Sequence, residues 1–206
     1  MSTLTLYYSP LSPYARKVRA MAIEAGIDGQ LTLVAGSGTP LDPSGAPIAA
    51  NPLGKIPTLT RPDGSALYDS RVICQYLDAR ADAGLYPQGA RRWDALVLEA
   101  TAEGIMDAAL AMVYEGRFRP PEAQVPALVE GQWARIDRAL DVIEERWMAY
   151  LAGPVCMGQI GLGCALGYLD LRLGARDWRA TRPSLAAWEG RFAERPAMQA
   201  TRPVPA

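Results

Sequence analysis

The chain is 206 residues long and half of it is apolar, enough to bury a real core in one large domain or two modest ones. Its 21 basic and 22 acidic residues leave a net charge of −1 with no long block of one sign, which argues against a partner held by phosphate neutralisation, nucleic acid above all. There is no histidine, so a Ser-His-Asp or Cys-His nucleophile and a histidine-bound metal are excluded.

The first segment, Leu4 to Tyr8, is rich in β-formers and reads as a strand rather than as a charged-then-apolar leader, so the expected location is the cytoplasm. Ser12-Pro13 opens a helix whose apolar positions Val18, Met21, Ala22 and Ala25 have helical spacing, and Gly26 ends it. A short strand at Leu31 to Val34 completes a β-α-β unit. The stretch from Gly36 to Ala50 is rich in Gly, Pro and Ser and is predicted to be irregular. Next, Pro57 to Thr60 and Ala66 to Tyr68 flank Asp63-Gly64, a hairpin turn signal, and Asp69 or Ser70 caps a helix with Ile73, Tyr76 and Leu77 inward. The order is β-α-β, a long loop, then β-β-α.

From Ala79 to Arg92 the pattern lapses into charged and small residues with Gly84, Pro87 and Gly89, the composition of a linker. This divides the chain into a domain over residues 1–80, a linker over 81–90 and an all-helical domain over 91–206. In the latter, Trp93, Leu96, Val97 and Ala100 begin a long helix that Pro120-Pro121 ends. The series Val129, Trp133, Ile136, Leu140, Ile143 and Trp147 then steps by four and three residues, the seam of a packed bundle. The stretch from Val155 to Leu173 is long enough to span a bilayer, but Gln159, Asp170 and Arg172 make it a central buried helix instead. Pro183, Leu185, Trp188 and Phe192 mark a last amphipathic helix. Cys74, Cys156 and Cys164 form no C-x-x-C pair and read as small buried hydrophobes, which disfavours dithiol redox chemistry.

The segment Asn51-Pro52-Leu53-Gly54-Lys55-Ile56-Pro57-Thr58-Leu59, followed after the hairpin by Asp69-Ser70-Arg71-Val72-Ile73, resembles the glutathione-binding core of cytosolic glutathione transferases. Upstream, Ser9-Pro10-Leu11-Ser12-Pro13-Tyr14-Ala15-Arg16-Lys17-Val18-Arg19 is similar to the serine-containing first turn of bacterial, zeta-like or theta-like members. The resemblance implies an N-terminal thioredoxin-like domain that holds glutathione as co-substrate, a C-terminal helical bundle that holds an electrophile, and a homodimer without metal, membrane or nucleic acid. It also implies that the Ile56 backbone pairs with the cysteinyl part of glutathione across a cis Ile56-Pro57 bond. The residues themselves allow the bland reading that Pro57 is a turn proline, Lys55 a solvated lysine, and Asp69 and Ser70 mere caps.

As a site, Asp69 and Ser70 sit where a strand turns into a helix, so side chains and free N–H groups suit the γ-glutamyl end of glutathione, and Lys55 suits a carboxylate. Ser12 is the candidate catalytic hydroxyl, a donor at the positive end of the first helix, with Ser9, Tyr7 and Tyr8 as rival donors. Tyr114, Arg117, Tyr168 and Trp178 are candidate walls for the electrophile. Asp107 either faces a partner subunit's glutathione or is an ordinary solvated acid. Cys156-Met157-Gly158-Gln159 departs from the family's Ser/Thr-x-x-Asp cap of the central helix, and a thiol is a poor cap. The alternative function is a glutathione-binding or scaffolding protein of the same fold without turnover.

Overall fold

The computed structural model describes residues 3–203. Two compact units make up the chain: one runs up to Gly89 and takes back the segment from Pro196, and the other is Ala90–Arg195. The first unit is built on a four-stranded sheet ordered β2-β1-β3-β4, from β1 (Leu4–Tyr8), β2 (Leu31–Ala35), β3 (Thr58–Thr60) and β4 (Ala66–Leu67). The β1–β2 pair is parallel, as the intervening helix α1 (Pro13–Glu24) requires, and the β1–β3 and β3–β4 pairs are antiparallel. Period-2 alternation puts Leu4 and Leu6 of β1 on the buried face, where they join Val18 and Met21 of α1, Leu59 of β3, and Ile73 and Leu77 of α2 (Ser70–Ala81), all fully buried. Each such side chain contributes about 1.5–3 kcal/mol relative to exposure. The hairpin forms as the Asp-Gly signal predicts, with Gly64 at φ +86° and the Ser65 N–H donating to Asp63 Oδ1 at 2.9 Å.

Helix α3 (Arg91–Phe118) opens the second unit and packs against α4 (Pro126–Arg146) and, beyond the short helix α5 (Met148–Leu151), against α6 (Met157–Leu173). Helix α6 is buried along most of its length, as its apolar surround predicts. It comes so close to α3 that a Cβ at Gly158 would stand 2.9 Å from the Leu98 Cβ and 3.0 Å from the Ala95 carbonyl, so only glycine fits there. In α4 the predicted seam is buried at Ile136, Leu140 and Ile143, and α7 (Pro183–Ala193) buries Leu185, Trp188 and Phe192. Helix α8 (Pro196–Ala200) lies against α1 in the first unit, where Arg16 Nη2 donates to the Met198 carbonyl at 3.2 Å. All three cysteines are free and buried.

The cap of α6 shows how the chain manages without a hydroxyl at Cys156. Gln159 supplies the reciprocal half of the box: its Oε1 accepts the Cys156 N–H at 2.7 Å, while its Nε2 donates to the Leu151 and Gly153 carbonyls at 3.1 and 3.2 Å. The Leu151 carbonyl also accepts from Trp188 Nε1 at 3.1 Å, which ties α7 to the same corner. A glutamine has both acceptor and donors, so one buried side chain satisfies three backbone groups.

Candidate functional site

Strand pairing brings three separated stretches to one end of the sheet. Tyr7 lies opposite Thr58 in the antiparallel β1–β3 pair, so the chain leaving β1 towards Ser12 runs beside the chain that enters β3 from Ile56-Pro57. Leu67 lies opposite Leu59, so the chain leaving β4 turns into α2 through Asp69-Ser70 at that same end. Ser12, Ile56, Asp69 and Ser70 are thereby gathered, together with the amino-terminal ends of α1 and α2 and their outward N–H groups. The Ile56-Pro57 bond is cis, as is the Tyr68-Asp69 bond.

Ser12 is the N-cap of α1: its extended backbone lets Oγ accept the Ala15 N–H at 3.2 Å, with Pro13 following in the first turn. The accepted bond uses a lone pair, which leaves the hydroxyl proton for another acceptor. Ser9 Oγ accepts the Leu11 N–H at 3.3 Å, and the Ser9 carbonyl accepts from the Ser12 N–H at 3.1 Å, so the two serines share one tight turn. The Tyr8 ring lies under the Arg19 guanidinium, 5.1 Å from it.

The loop before β3 is held by two buried polar side chains to which the sequence reading gave no part. Asn51 donates through Nδ2 to the Lys55 carbonyl at 3.1 Å and to Thr58 Oγ1 at 3.0 Å, and its Oδ1 accepts the Leu53 N–H at 3.0 Å. The Thr58 hydroxyl donates to the same Lys55 carbonyl at 2.9 Å. That carbonyl is thus turned inward, whereas the N–H and C=O of Ile56 make no hydrogen bond among the described residues. The Lys55 side chain is exposed. Gly54, at φ +61°, sits with its Cβ direction 2.9 Å from Pro43, so glycine is required at this bend.

Asp69 is exposed and caps α2, accepting the Arg71 N–H at 3.0 Å and pairing with Arg71 Nη2 at 2.8 Å. The hydrogen bond from the Arg71 side chain, helped by its charge and by that of Lys17, holds the Asp69 carboxyl below the usual carboxylate range. Ser70 is buried in the first turn of α2. Lys17 is fully buried on α1, a third residue not singled out from sequence. The signal was present, since Lys17 stands four residues after Pro13 and four before Met21, on a buried stripe.

In the second unit Tyr168 is buried, with Tyr114 half-buried and Arg117 exposed. Trp178 is not a free wall: it is buried, its Nε1 donates to Asp170 at 2.9 Å, and Arg179 stacks on its ring at 4.3 Å. Asp107 is exposed and lines a cleft of about 460 Å³ between α3 and α4, beside Gly104, Gln132 and Arg135. Among the described residues no helix is long and apolar enough to cross a membrane, and no group of cysteine and acidic side chains is arranged to hold a metal ion.

A β-α-β, β-β-α sheet unit with a cis-proline loop beside the first helix, followed by a helical unit, defines a two-domain protein of the thioredoxin-like class. Residues 11–80 match the family model of the glutathione S-transferase N-terminal domain and residues 126–191 that of the C-terminal domain. The chain is 32% identical over 190 residues to the uncharacterized GST-like protein YibF of Escherichia coli K12, covering 88% of this chain and 90% of that one. It is 32% identical to glutathione S-transferase 3 of Zea mays over 98% of this chain and 94% of that one. Among solved structures, a glutathione transferase family member from Pseudomonas fluorescens Pf-5 with bound glutathione is 43% identical, with a TM-score of 0.96 over 98% of this chain and all of that one. The chain belongs to the glutathione transferase family, whose co-substrate is glutathione.

Proposed function

We propose that this chain is an active glutathione transferase of the cytoplasm that adds the glutathione thiolate to a small, partly apolar electrophile. The observation that carries the reading is Ser12, whose oxygen is engaged by the helix it caps while its proton remains available beside the unpaired Ile56 backbone. In this reading Ile56 pairs with the cysteinyl backbone of glutathione, Asp69 and Ser70 with the γ-glutamyl end and Lys55 with a carboxylate. Ser12 donates to the sulfur. A hydroxyl donor at a helix amino terminus favours thiolate over thiol, and the protein then supplies positioning. The Pseudomonas relative, solved with glutathione and also with S-(propanoic acid)-glutathione, supports both the co-substrate and a conjugate at its sulfur.

The homodimer is supported by the exposed apolar side chains of one helical layer, Trp93 and Val97 on α3 and Leu128 and Val142 on α4, flanking the Asp107 cleft. Sedimentation would show a dimer that Trp93→Glu disperses. Calorimetry with glutathione, together with the ultraviolet thiolate absorbance of the complex, tests the catalytic reading. Binding with a rise in thiolate absorbance is expected, whereas binding without it would favour a non-catalytic glutathione-binding protein.

A further inference from the structure

The loop between β2 and β3 is closed on itself and leans on the segment that leads to Ile56. It leaves the sheet at Gly36, whose N–H donates to the Tyr8 carbonyl at 2.8 Å. Its two arms then meet: the Ser37 N–H donates to the Gly45 carbonyl at 3.0 Å, and a Cβ at Gly45 would stand 2.9 Å from the Ser37 carbonyl oxygen. At the tip, Thr39 Oγ1 accepts the Asp42 N–H and Asp42 Oδ1 accepts the Ser44 N–H, both at 3.0 Å. These bonds are spent within the loop, which is therefore a packed body of its own and not a slack connection.

Glycines let this body reach the backbone of Gly54-Lys55-Ile56 directly. A Cβ at Gly38 would stand 2.5 Å from the Gly54 carbonyl oxygen and 3.1 Å from the Ala46 Cβ, and one at Gly36 would stand 3.5 Å from Ile56 Cγ2. Gly54 is itself boxed in: it is buried, its N–H donates to the Asn51 carbonyl at 3.0 Å, and Pro43 blocks its Cβ direction at 2.9 Å. A push on its carbonyl from Gly38 therefore passes along the chain into Lys55-Ile56. The next carbonyl, that of Lys55, is held inward by Asn51 and Thr58. The Lys55–Ile56 peptide is trans, so with its C=O turned inward its N–H points the opposite way, without a partner among the described residues. Two successive carbonyls are fixed from behind, the first by contact and the second by hydrogen bonds, and together they aim that one N–H.

We infer that Gly38 is a positioning residue for glutathione: it holds the Gly54 carbonyl, and through it the Lys55–Ile56 peptide that presents the Ile56 N–H to the cysteinyl backbone of the co-substrate. The inference rests on the pairing of Ile56 in the transferase reading and adds the loop that sets it. Gly38 has no positive φ, so alanine there brings no backbone strain, and its effect is the contact with Gly54 and Ala46. A donor already aimed costs the ligand nothing to arrange, whereas a displaced one loses strength steeply with angle.

The test is calorimetry with glutathione and with its analogue methylated on the cysteinyl nitrogen, which cannot pair with the Ile56 backbone. In the wild type the analogue should bind roughly 10-fold more weakly. In Gly38→Ala, glutathione should lose most of that margin while the analogue keeps its affinity, so the ratio falls towards unity. Pro43→Gly, at an exposed position, removes the packing on Gly54 and should lower the ratio part of the way. Gly29→Ala, where nothing lies within 4 Å of the new Cβ, should keep the wild-type ratio. The ratio is internal to each protein, so partly unfolded material does not mimic the effect. Should Gly38→Ala not fold, Pro43→Gly alone decides. A wild-type ratio in the folded variants, or equal loss for both ligands, overturns this inference and leaves the transferase reading standing; so does a wild type that binds the two ligands alike. Thiolate absorbance of the wild-type complex judges the other reading separately: no rise sinks the catalytic assignment even where the ratio responds to Gly38 as expected.

Discussion

Replacing Ser12 by alanine removes two functions that the structure assigns to separate parts of one hydroxyl. The lone pair caps α1 through a 3.2 Å bond to the Ala15 N–H, a long hydrogen bond, so the stability cost belongs at the low end for caps, about 0.5–1 kcal/mol. For a chain of this size that is a fall in Tm of roughly 1–4 °C. The proton, if it is given to the glutathione sulfur, forms a charge-assisted bond worth about 1.5–3 kcal/mol, which is about one to two pKa units of the thiol. The bond favours the charged form, so its loss raises the bound thiol's pKa. The rising limb of kcat/KM against pH moves upward by the same amount, and the thiolate fraction at neutral pH drops roughly tenfold. Glutathione affinity should change only a few-fold, because the neutral thiol gains little from the donor. Thiolate absorbance of the complex, titrated with pH for wild type, Ser12→Ala and Ser12→Thr, measures this directly. Threonine keeps both cap and donor and should stay near wild type. An unchanged thiol pKa in the alanine variant would refute the assignment and pass the role to Ser9, Tyr7 or Tyr8.

Asp69 should stay ionised below the normal carboxylate range because Arg71 bonds it, and Arg71→Ala should move its titration back up, as followed by carboxyl NMR. A depressed folded-state pKa gives stability that is present above the unfolded value and is lost as pH falls through the folded one; for this exposed pair the amount is small, under about 1 kcal/mol. Asn51→Ala should cost about 1–3 kcal/mol, since the Leu53 N–H loses its partner and the Lys55 carbonyl keeps only Thr58, and it should weaken glutathione binding by loosening the Ile56 segment. Calorimetry on the folded variant checks the second effect; unchanged affinity would show that Asn51 serves stability only. Gln159→Ala should lower Tm more than Cys156→Ala, because the glutamine, not the thiol, satisfies the three backbone groups at the start of α6.

Much of the first unit was legible because its signals are local. Ser12-Pro13 marks the start of α1, Asp63-Gly64 marks the hairpin, and Leu4 and Leu6 alternate as a half-buried strand should. The gathering of Ser12, Ile56 and Asp69 at one end of the sheet was legible only through resemblance, since no spacing in the chain encodes the β1–β3 and β3–β4 pairings that produce it. Asn51 and Thr58 were missed because a polar residue in a proline-rich stretch looks solvated until its partners, four and seven residues away, are known. Lys17 was missed for the opposite reason, since a charged residue on a buried stripe is discounted as an exception to the pattern.

The start of α6 shows why such misses concentrate where one side chain serves several backbone groups. A cap is usually judged from the N-cap residue, and by that rule Cys156 predicts a weak start for a helix buried along most of its length. The demand, however, is set by the orphan backbone groups of the corner, namely the Cys156 N–H and the carbonyls of Leu151 and Gly153. Meeting it needs one acceptor and two donors, which an amide at the third helical position supplies and a carboxylate there does not. The larger part of the capping role is therefore carried by Gln159, while the Cys156 thiol completes the box by accepting from the Gln159 backbone N–H and lies 3.5 Å from the Tyr150 hydroxyl.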